Sequence, residues 1–494
     1  MTQTGSTTWS ADRLAKRATP QQSTPALEAV RRLEGWLHLE AGRALEWSHD
    51  GLLIKVTEAD GRCSQYCYDA CADLVAIHEP DGSLRTFAYD ERRRLKHVTQ
   101  PDGSLTEYHY EQDRLIQVQD RGVVTRYSYD ALGRLERVSR GNAGCSVYRY
   151  DVAGRVAEAR TARVSCGYSY DDQGQITTLS QTIDGVTVML RFAFDDLGRL
   201  ATLTMPGDAI VRYRWNEHGR PSEVILHDLT IARFSYEDAA RMTQIQFANG
   251  LIEATSADIL AGHTLDRRVL RGDETLLARS YHYDSAGRIT SDGLSSYHYD
   301  AAGRLAAATS AESHRTRLFA YDSLNRCVGE EPMSAASFDL RGRLTRKISG
   351  TDNFTYLYDD ADQLVEVRRN ATVIAGFIYD HKGRVAQANL EGQIERYLYG
   401  PTDELLAVTD AAGQLMRALV HTPLGTLAEL QGTVLRFLHH DARGTRIATS
   451  DSTGAIVAHF AYDPFGLPDA QPGETAPAFH RCEWRAEVSL YNVG

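Results

Sequence analysis

RYSYDALGRLERV, residues Arg126–Val138, decides how the rest of the chain is read. Tyr127 and Tyr129 are two apart, so on an extended strand both side chains leave the same face. Asp130 follows at once, then Gly133 three residues on, then Arg134 and Leu135. An aspartate in that place can accept from backbone N–H groups just ahead of it. A glycine three residues later can take the left-handed conformation that closes a short hairpin loop, often with a bulge. The spacing predicts a strand ending in an acid–glycine bend, with Arg134 beside Asp130 across it.

The figure returns as YRYDVAGRV from Tyr148, YHYDSAGRI from Tyr281, YHYDAAGRL from Tyr297 and FIYDHKGRV from Phe377. In the second of these the positions are Tyr281, Tyr283, Asp284, Gly287 and Arg288; in the third, Tyr299, Asp300 and Gly303. With the acid as phase marker, copies run from Asp69 and Asp90 to Asp441 and Asp463 at a period of about twenty residues. An eroded copy near Asp258 is expected in the double step between Glu237 and Asp284. All 25 tyrosines except Tyr491 occupy one of the two aromatic slots, which chance would not produce. This is a repeat protein. Where the glycine is missing, Asn325, Asp362 and Asp403 supply residues tolerant of positive φ. Ala72, Arg93, Arg114 and Ala240 do not, and looser or different turns are expected there.

The second half of each unit ends in another bend: PDGS at Pro80–Ser83 and Pro101–Ser104, Asp184-Gly185, Asn249-Gly250. Such dipeptides between apolar runs are hairpin signals. Each unit is strand, turn, strand, turn, and the whole is an all-β antiparallel meander. Residues 250–280 and 305–318 fit least well and read as longer loops or eroded strands, with Ala306–Ser313 as a surface excursion. The tyrosine rows could form a stacking platform for sugars or nucleic acid, but their regularity speaks for a structural role.

The chain has 494 residues, 42% apolar, with a net charge of −12. That balance disfavours nonspecific nucleic-acid binding, which needs basic surface. The apolar share is low enough to suit a single-layer wall better than a thick core. Residues 1–35 precede the repeats as a linker and a short helix opening at Thr24-Pro25 and stopped by Gly35. No secretory signal and no membrane span is recognised, so a cytoplasmic origin before export is expected. Residues 36–400 read as the repeat shell and 401–494 as a distinct closing region in which tyrosines thin out. Cys63, Cys67 and Cys71 are spaced by four, yet Cys67 alternates with two tyrosines on a strand, so buried small hydrophobes are expected there rather than a metal site. His439, His440 and Asp441 cannot easily surround one ion either, since strand neighbours face opposite ways. No metal, cofactor or catalytic residue is assigned, and no phosphate loop or nucleophile elbow is present.

YxYDxxGRL resembles the Rhs/YD-repeat family, which includes bacterial polymorphic toxins, the shells of insecticidal Tc complexes and teneurins. Phe437–Gly466 resembles the Rhs-associated core: His439, Asp441 and Gly444 match its HxDxxG element, and Tyr462, Asp463, Pro464, Phe465 and Gly466 its YDPFG element. The resemblance implies a β-ribbon spiralling into a hollow cocoon that holds a C-terminal toxin until delivery, in many members released by an aspartyl autoprotease. Here Gly494 comes before the expected continuation, and no toxin segment or DPxGxxGG motif is found, so a truncated core is expected and protease activity is not carried over. Independently, open twisted sheets rarely exceed about ten strands without curling or splitting, so a ribbon this long must coil. The expected function is a non-enzymatic encapsulating shell, with a toxin segment and a secretion-system component as partners. The alternatives are a surface adhesin binding a glycan and, last, an enzyme cleaving itself through Asp441 or Asp463.

Overall fold

The computed structural model describes residues 44–57, 61–237, 242–258, 262–300, 303–311, 314–321, 336–339, 341–349, 351–462, 478–479, 482–485 and 490–492. Among them every regular element is a β-strand except a single 3-10 turn at Pro206–Asp208. The helix expected before Gly35, and Ala240, Asp463, Pro464 and Gly466, lie outside the described residues. Consecutive strands pair antiparallel with their neighbours in sequence, as in Cys145–Tyr150 with Val156–Arg160 and Val164–Tyr170 with Ile176–Ile183.

The acid–glycine bend has one construction in most copies. At Asp151 the backbone N–H donates to the Arg155 carbonyl at 2.8 Å, and the Gly154 N–H donates back to the Asp151 carbonyl at 3.0 Å. Asp151 Oδ1 accepts from the Arg155 N–H at 2.8 Å and Oδ2 from Arg155 Nε at 2.7 Å. Gly154 has φ +82°, a conformation that costs an L-residue roughly 1–2 kcal/mol. The same bonds recur at Asp130–Arg134, Asp284–Arg288 and Asp300–Arg304. Each turn is preceded by a register shift at the second aromatic slot, for example at Tyr150, Tyr170, Tyr299 and Tyr379. Such bulges add local twist.

The two aromatic slots do different work. Six first-slot rings are buried, Tyr108, Tyr213, Tyr281, Tyr297, Tyr356 and Tyr397, while Tyr66, Tyr127, Tyr148 and Tyr168 are half-buried. Second-slot rings reach back one repeat: Tyr150 Oη donates to the Leu135 carbonyl at 2.6 Å and Tyr170 Oη to that of Val156 at 2.7 Å. Trp215 keeps the bond through Nε1, 2.8 Å from the Leu200 carbonyl oxygen. The arginine of the earlier turn lies over that ring, 4.5 Å from its centroid for Arg134 on Tyr150 and 4.7 Å for Arg288 on Tyr299. More than an exposed ion pair, the arginine closes its own turn and caps the next aromatic, a contact of about 0.5–2 kcal/mol.

Two turns without glycine are not looser. Ala72 and Arg93 adopt φ +64° and +62° and keep the same hydrogen bonds, Ala72 N–H to Asp69 at 3.1 Å and Arg93 N–H to Asp90 at 2.9 Å. The turn's bonds and its acid outweigh the strain, and Arg93 also pairs with Asp73 at 2.7 Å. At Arg114 the expectation of a different turn holds: Glu111 pairs directly with Arg114 across a two-residue loop in which Gln112 has φ +53°. The eroded copy at Asp258 is a bend one residue longer, its N–H donating to the His263 carbonyl at 2.8 Å. Of the two readings of the least regular segments, longer loops or eroded strands, the structure shows strands at Leu251–Ala257, Thr264–Arg271, Leu305–Ser310 and Thr316–Leu318. The described part of the expected excursion is not one: Ala306–Ser310 belong to a strand that buries Leu305 and Ala308, while 312–313 lie outside the described residues.

The chain divides into two compact units, Met1–Tyr129 with Ser139–Gly141 and Ser280–Pro332, and Asp130–Val138 with Asn142–Arg279 and Met333–Gly494. The first has small apolar clusters on its strands, one around Leu95, Val98, Tyr108, Leu115 and Val118 and another around Tyr297, Leu305 and Ala308. The second holds the largest core. In it Leu190, Val211, Val224 and Leu251 from one stretch of meander pack with Leu398, Ala407, Val420 and Phe437 from another. Two layers thus cover each other's apolar faces, where composition alone suggested one.

The two stretches are also joined residue by residue. Asn142 N–H donates to Asp360 Oδ2 at 2.6 Å and Asp360 N–H to Asn142 Oδ1 at 2.9 Å. Gln181 Nε2 donates to the Ala386 carbonyl at 3.4 Å, and Asn249 Nδ2 to the Asp451 carbonyl at 2.8 Å. Arg271 donates to the Gly454 carbonyl at 2.6 Å. In these pairs the partner numbers rise together, so the two stretches run in the same overall order, although within neighbouring strands they step back, as from Asn249 with Asp451 to Glu253 with His439.

Candidate functional site

Within the second unit lies a cavity of about 1100 Å³, with Phe192, Leu203, Tyr213 and Leu438 on its apolar side and Glu253, Arg267, His440, Asp441 and Arg446 among its polar groups. Strand alternation sets the polar cluster. On Leu251–Ala257, Leu251 and Glu253 share the buried face; on Val434–His440, adjacent His439 and His440 face opposite ways. His439 is fully buried, its ring edge-on to Phe247 at 5.4 Å, while His440 lines the cavity. The two imidazoles leave the strand on opposite faces, as strand alternation expects.

His439 connects two strands. Its Nδ1 is 3.4 Å from Glu253 Oε2 and its Nε2 is 2.9 Å from Ser450 Oγ. Asn249 Nδ2 donates to the same hydroxyl at 3.0 Å. Arg267 Nε donates to Glu253 Oε1 at 2.5 Å, and Arg267 NH1 to the Asp441 carbonyl at 3.0 Å. Burial opposes ionisation of Glu253, but Arg267 and His439 outweigh it and hold the carboxyl down to about 2. His440 goes the other way. Although part of its surface faces the cavity, burial and then the Arg446 and Arg267 charges keep it neutral down to about 3.

Ser450, His439 and Glu253 are bonded in the order of a Ser–His–acid triad. The arrangement is closed, however: Ser450 and His439 are both 0% exposed, neither lines the cavity, and the hydroxyl is held by Asn249. A nucleophile must reach its substrate. This geometry is therefore a buried polar clamp between layers.

Asp441 repeats the acid–glycine bend with a change of partner. Its Oδ1 accepts from the Arg443 and Thr445 N–H groups at 2.9 and 2.8 Å, and Gly444 has φ +81°. Arg443, rather than the residue four on, pairs with Oδ2 at 3.1 Å. The structure thus places Asp441 and Gly444 on the cavity wall and seals His439 away from it, while Tyr462 is half-buried. The remaining marked residues are dispersed along the ribbon as turn elements. Tyr127 packs on the Leu95 cluster, and Tyr129 Oη donates to the Leu115 carbonyl at 2.8 Å. Tyr283, Asp284, Gly287 and Arg288 form one bend, and Tyr299, Asp300 and Gly303 another. Glu253, Arg267 and Ser450 escape the repeat reading. Their one signal is an acid at an inward strand position in LIEATS, where the pattern calls for an apolar residue.

The arrangement of meander, bend and capped aromatic defines a YD-repeat shell protein. The Teneurin YD-shell family pattern matches residues 29–182, 150–257 and 264–472, and the chain belongs to that family. The tRNA nuclease WapA of Bacillus subtilis (strain 168) is 32% identical over 149 residues, covering 27% of this chain and 6% of WapA. The double-stranded DNA deaminase toxin A of Burkholderia cenocepacia (strain H111) is 25% identical over 414 residues, covering 75% of this chain and 28% of that protein. The Tc holotoxin pore of Photorhabdus luminescens superposes with a TM-score of 0.71 at 16% identity, over 90% of this chain and 28% of that one, a likeness of fold. The chain spans under a third of each of these proteins.

Proposed function

We propose that this chain forms wall of a hollow shell that keeps a toxin polypeptide out of contact with its surroundings until delivery. In this reading residues 36–400 are wall and 401–494 a closing region of the Rhs-core type. The observation that carries it is the family match along residues 29–257 and 264–472, in a group of relatives that includes a named toxin. The wall itself has a structural role. The nuclease and deaminase names belong to relatives of which this chain spans 6% and 28%. A secretion-system component and the enclosed segment are its partners, and export is its route.

Small-angle scattering on the purified chain tests this. A pair-distance distribution weighted to the particle edge is expected; that of a uniformly filled sphere overturns the reading. The carbohydrate-platform alternative is weaker, since second-slot rings carry an arginine over one face and spend their hydroxyls on backbone carbonyls.

A further inference from the structure

Among the described bends, the one at Asp380 carries a histidine inward. The residue after the acid is solvent-facing in most bends, as at Ala131 and Val152. After Asp380 it is His381, and there the turn docks on strand Val164–Tyr170 in the same unit. The imidazole lies between Tyr148 and Tyr168, edge-on to both at 5.9 and 6.1 Å. Its Nε2 is 3.3 Å from Tyr168 Oη. Its Nδ1 is sealed from solvent and has no hydrogen-bond partner among the described residues. Buried polar atoms in that condition are uncommon and call for an explanation, an ion among them.

Cys166 supplies the second half. It is 3% exposed, packed with Val164, Ile183 and Ala386, and forms no disulfide. Its Sγ, a ring nitrogen of His381 and a carboxylate oxygen of Asp380 lie within 4.8 Å of one another. Asp380 is committed elsewhere. Oδ1 accepts from the Lys382 and Arg384 N–H groups at 2.8 and 3.0 Å, and Oδ2 from Arg384 Nε and NH2 at 2.8 and 2.6 Å. Two donors remain open, one sulfur and one nitrogen.

We propose that Cys166 and His381 form a binding site for a soft monovalent metal ion of the copper(I) class. Thiolate donors select copper(I) and zinc over harder ions, and the donor count decides between these two. A structural zinc site takes four protein ligands; this pocket offers two. Sulfur and nitrogen on opposite sides of one ion span roughly 4.4 Å at ordinary metal–ligand lengths, which is compatible with donor atoms that lie no more than 4.8 Å apart. Charge agrees: a thiolate with a monovalent cation is neutral overall, which a buried site tolerates, whereas a divalent ion would leave a net positive charge beside Arg384. Binding replaces the thiol proton, which leaves to solvent, while Nδ1 gives its lone pair; no electron is transferred. Without an ion both groups are neutral. Burial pushes the Cys166 thiol up to about 12 and the His381 imidazole down to about 4. The site does not depend on what the shell encloses.

The test is an anaerobic copper(I) titration against a chromophoric chelator, with Cys63, Cys67, Cys71, Cys145, Cys327 and Cys482 replaced by serine. One bound equivalent is expected, weakened about a hundredfold in Cys166→Ser and about tenfold in His381→Phe. Absence of stoichiometric binding in protein that keeps its β-sheet circular dichroism overturns the proposal. So does affinity indifferent to His381→Phe, or tighter binding of zinc(II). If the serine background does not fold, X-ray absorption of the unaltered chain with one copper equivalent decides. One sulfur and one nitrogen neighbour support the site; two sulfurs overturn it.

Discussion

The Arg155 guanidinium stands 4.5 Å from the ring centroid of Tyr170, which belongs to the next repeat. Because Arg155 also holds Asp151 through Nε at 2.7 Å, one side chain joins two successive bends. Arg155→Ala is expected to raise amide hydrogen exchange both in its own turn and around Tyr170, and to cost about 1–2 kcal/mol. Arg155→Lys should recover little of it, since an ammonium cannot keep both the fork and the stacked plane. Exchange confined to the Asp151 turn would refute the two-bend role.

Tyr399 and Val385 are both buried, and Tyr399 Oη donates to the Val385 carbonyl at 3.0 Å. Tyr399→Phe deprives a sealed carbonyl of that partner and should cost about 1–3 kcal/mol. Tyr299→Phe removes the equivalent 2.8 Å bond where the ring is only half-buried, and water can replace the hydroxyl. Its cost should be about 0.5–1 kcal/mol. Denaturant melts of the two variants compare them directly.

Turn glycines should respond differently by place. Ala72 already sits at φ +64°, so Ala72→Gly relieves strain and is expected to stabilise by up to about 1 kcal/mol. Gly154→Ala meets open space and loses only the conformational preference, about 1 kcal/mol. In Gly303→Ala the new Cβ would come 2.7 Å from the Arg62 guanidinium, so that turn should lose more. Thermal melts ranking Gly303→Ala as the mildest of the three would contradict the geometry.

Acid should open the second unit by way of its carboxylates. Asp151 and Asp195 are held below the ordinary aspartate range first by the N–H of the arginine four residues on, against the opposing effect of burial. A carboxyl with a depressed folded pKa contributes stability that is complete above about pH 4 and fades as pH falls through the folded value. Glu253, held down to about 2, carries the same sign over a wider window, from about pH 4.3 downward. Glu253→Gln should lower stability at pH 7 by about 3 kcal/mol, leaving Arg267 and His439 without their anion. The loss should shrink towards pH 2. Chemical melts at pH 7 and pH 3 measure both, and an unchanged difference would count against the clamp.

The repeat was legible because its period, its turn residues and its aromatic slots all carry local chemistry. Tyr150, Asp151, Gly154 and Arg155 bond mainly to residues within one unit of themselves, so a single copy contains the instructions. The same locality explains the misjudged Ala72: a turn already specified by its aspartate and its bonds tolerates an alanine that glycine rules would forbid. What stayed hidden depends on distant partners. Glu253 meets His439 and Cys166 meets His381 only after two stretches of meander lie together. No period marks those pairs. His381 occupies a turn position that is exposed at Ala131 and Val152, and its partial burial follows from docking that local sequence does not encode.

The side-by-side pairing of Asn142 with Asp360 and of Arg271 with Gly454 has an evolutionary consequence. Tandem repeats usually grow and shrink by unequal recombination, one module at a time. Here a gained or lost module on either stretch would slide every later partner out of alignment, as a slipped tooth does in a zip. Viable length change in this region should therefore come as matched events on both stretches, or not at all.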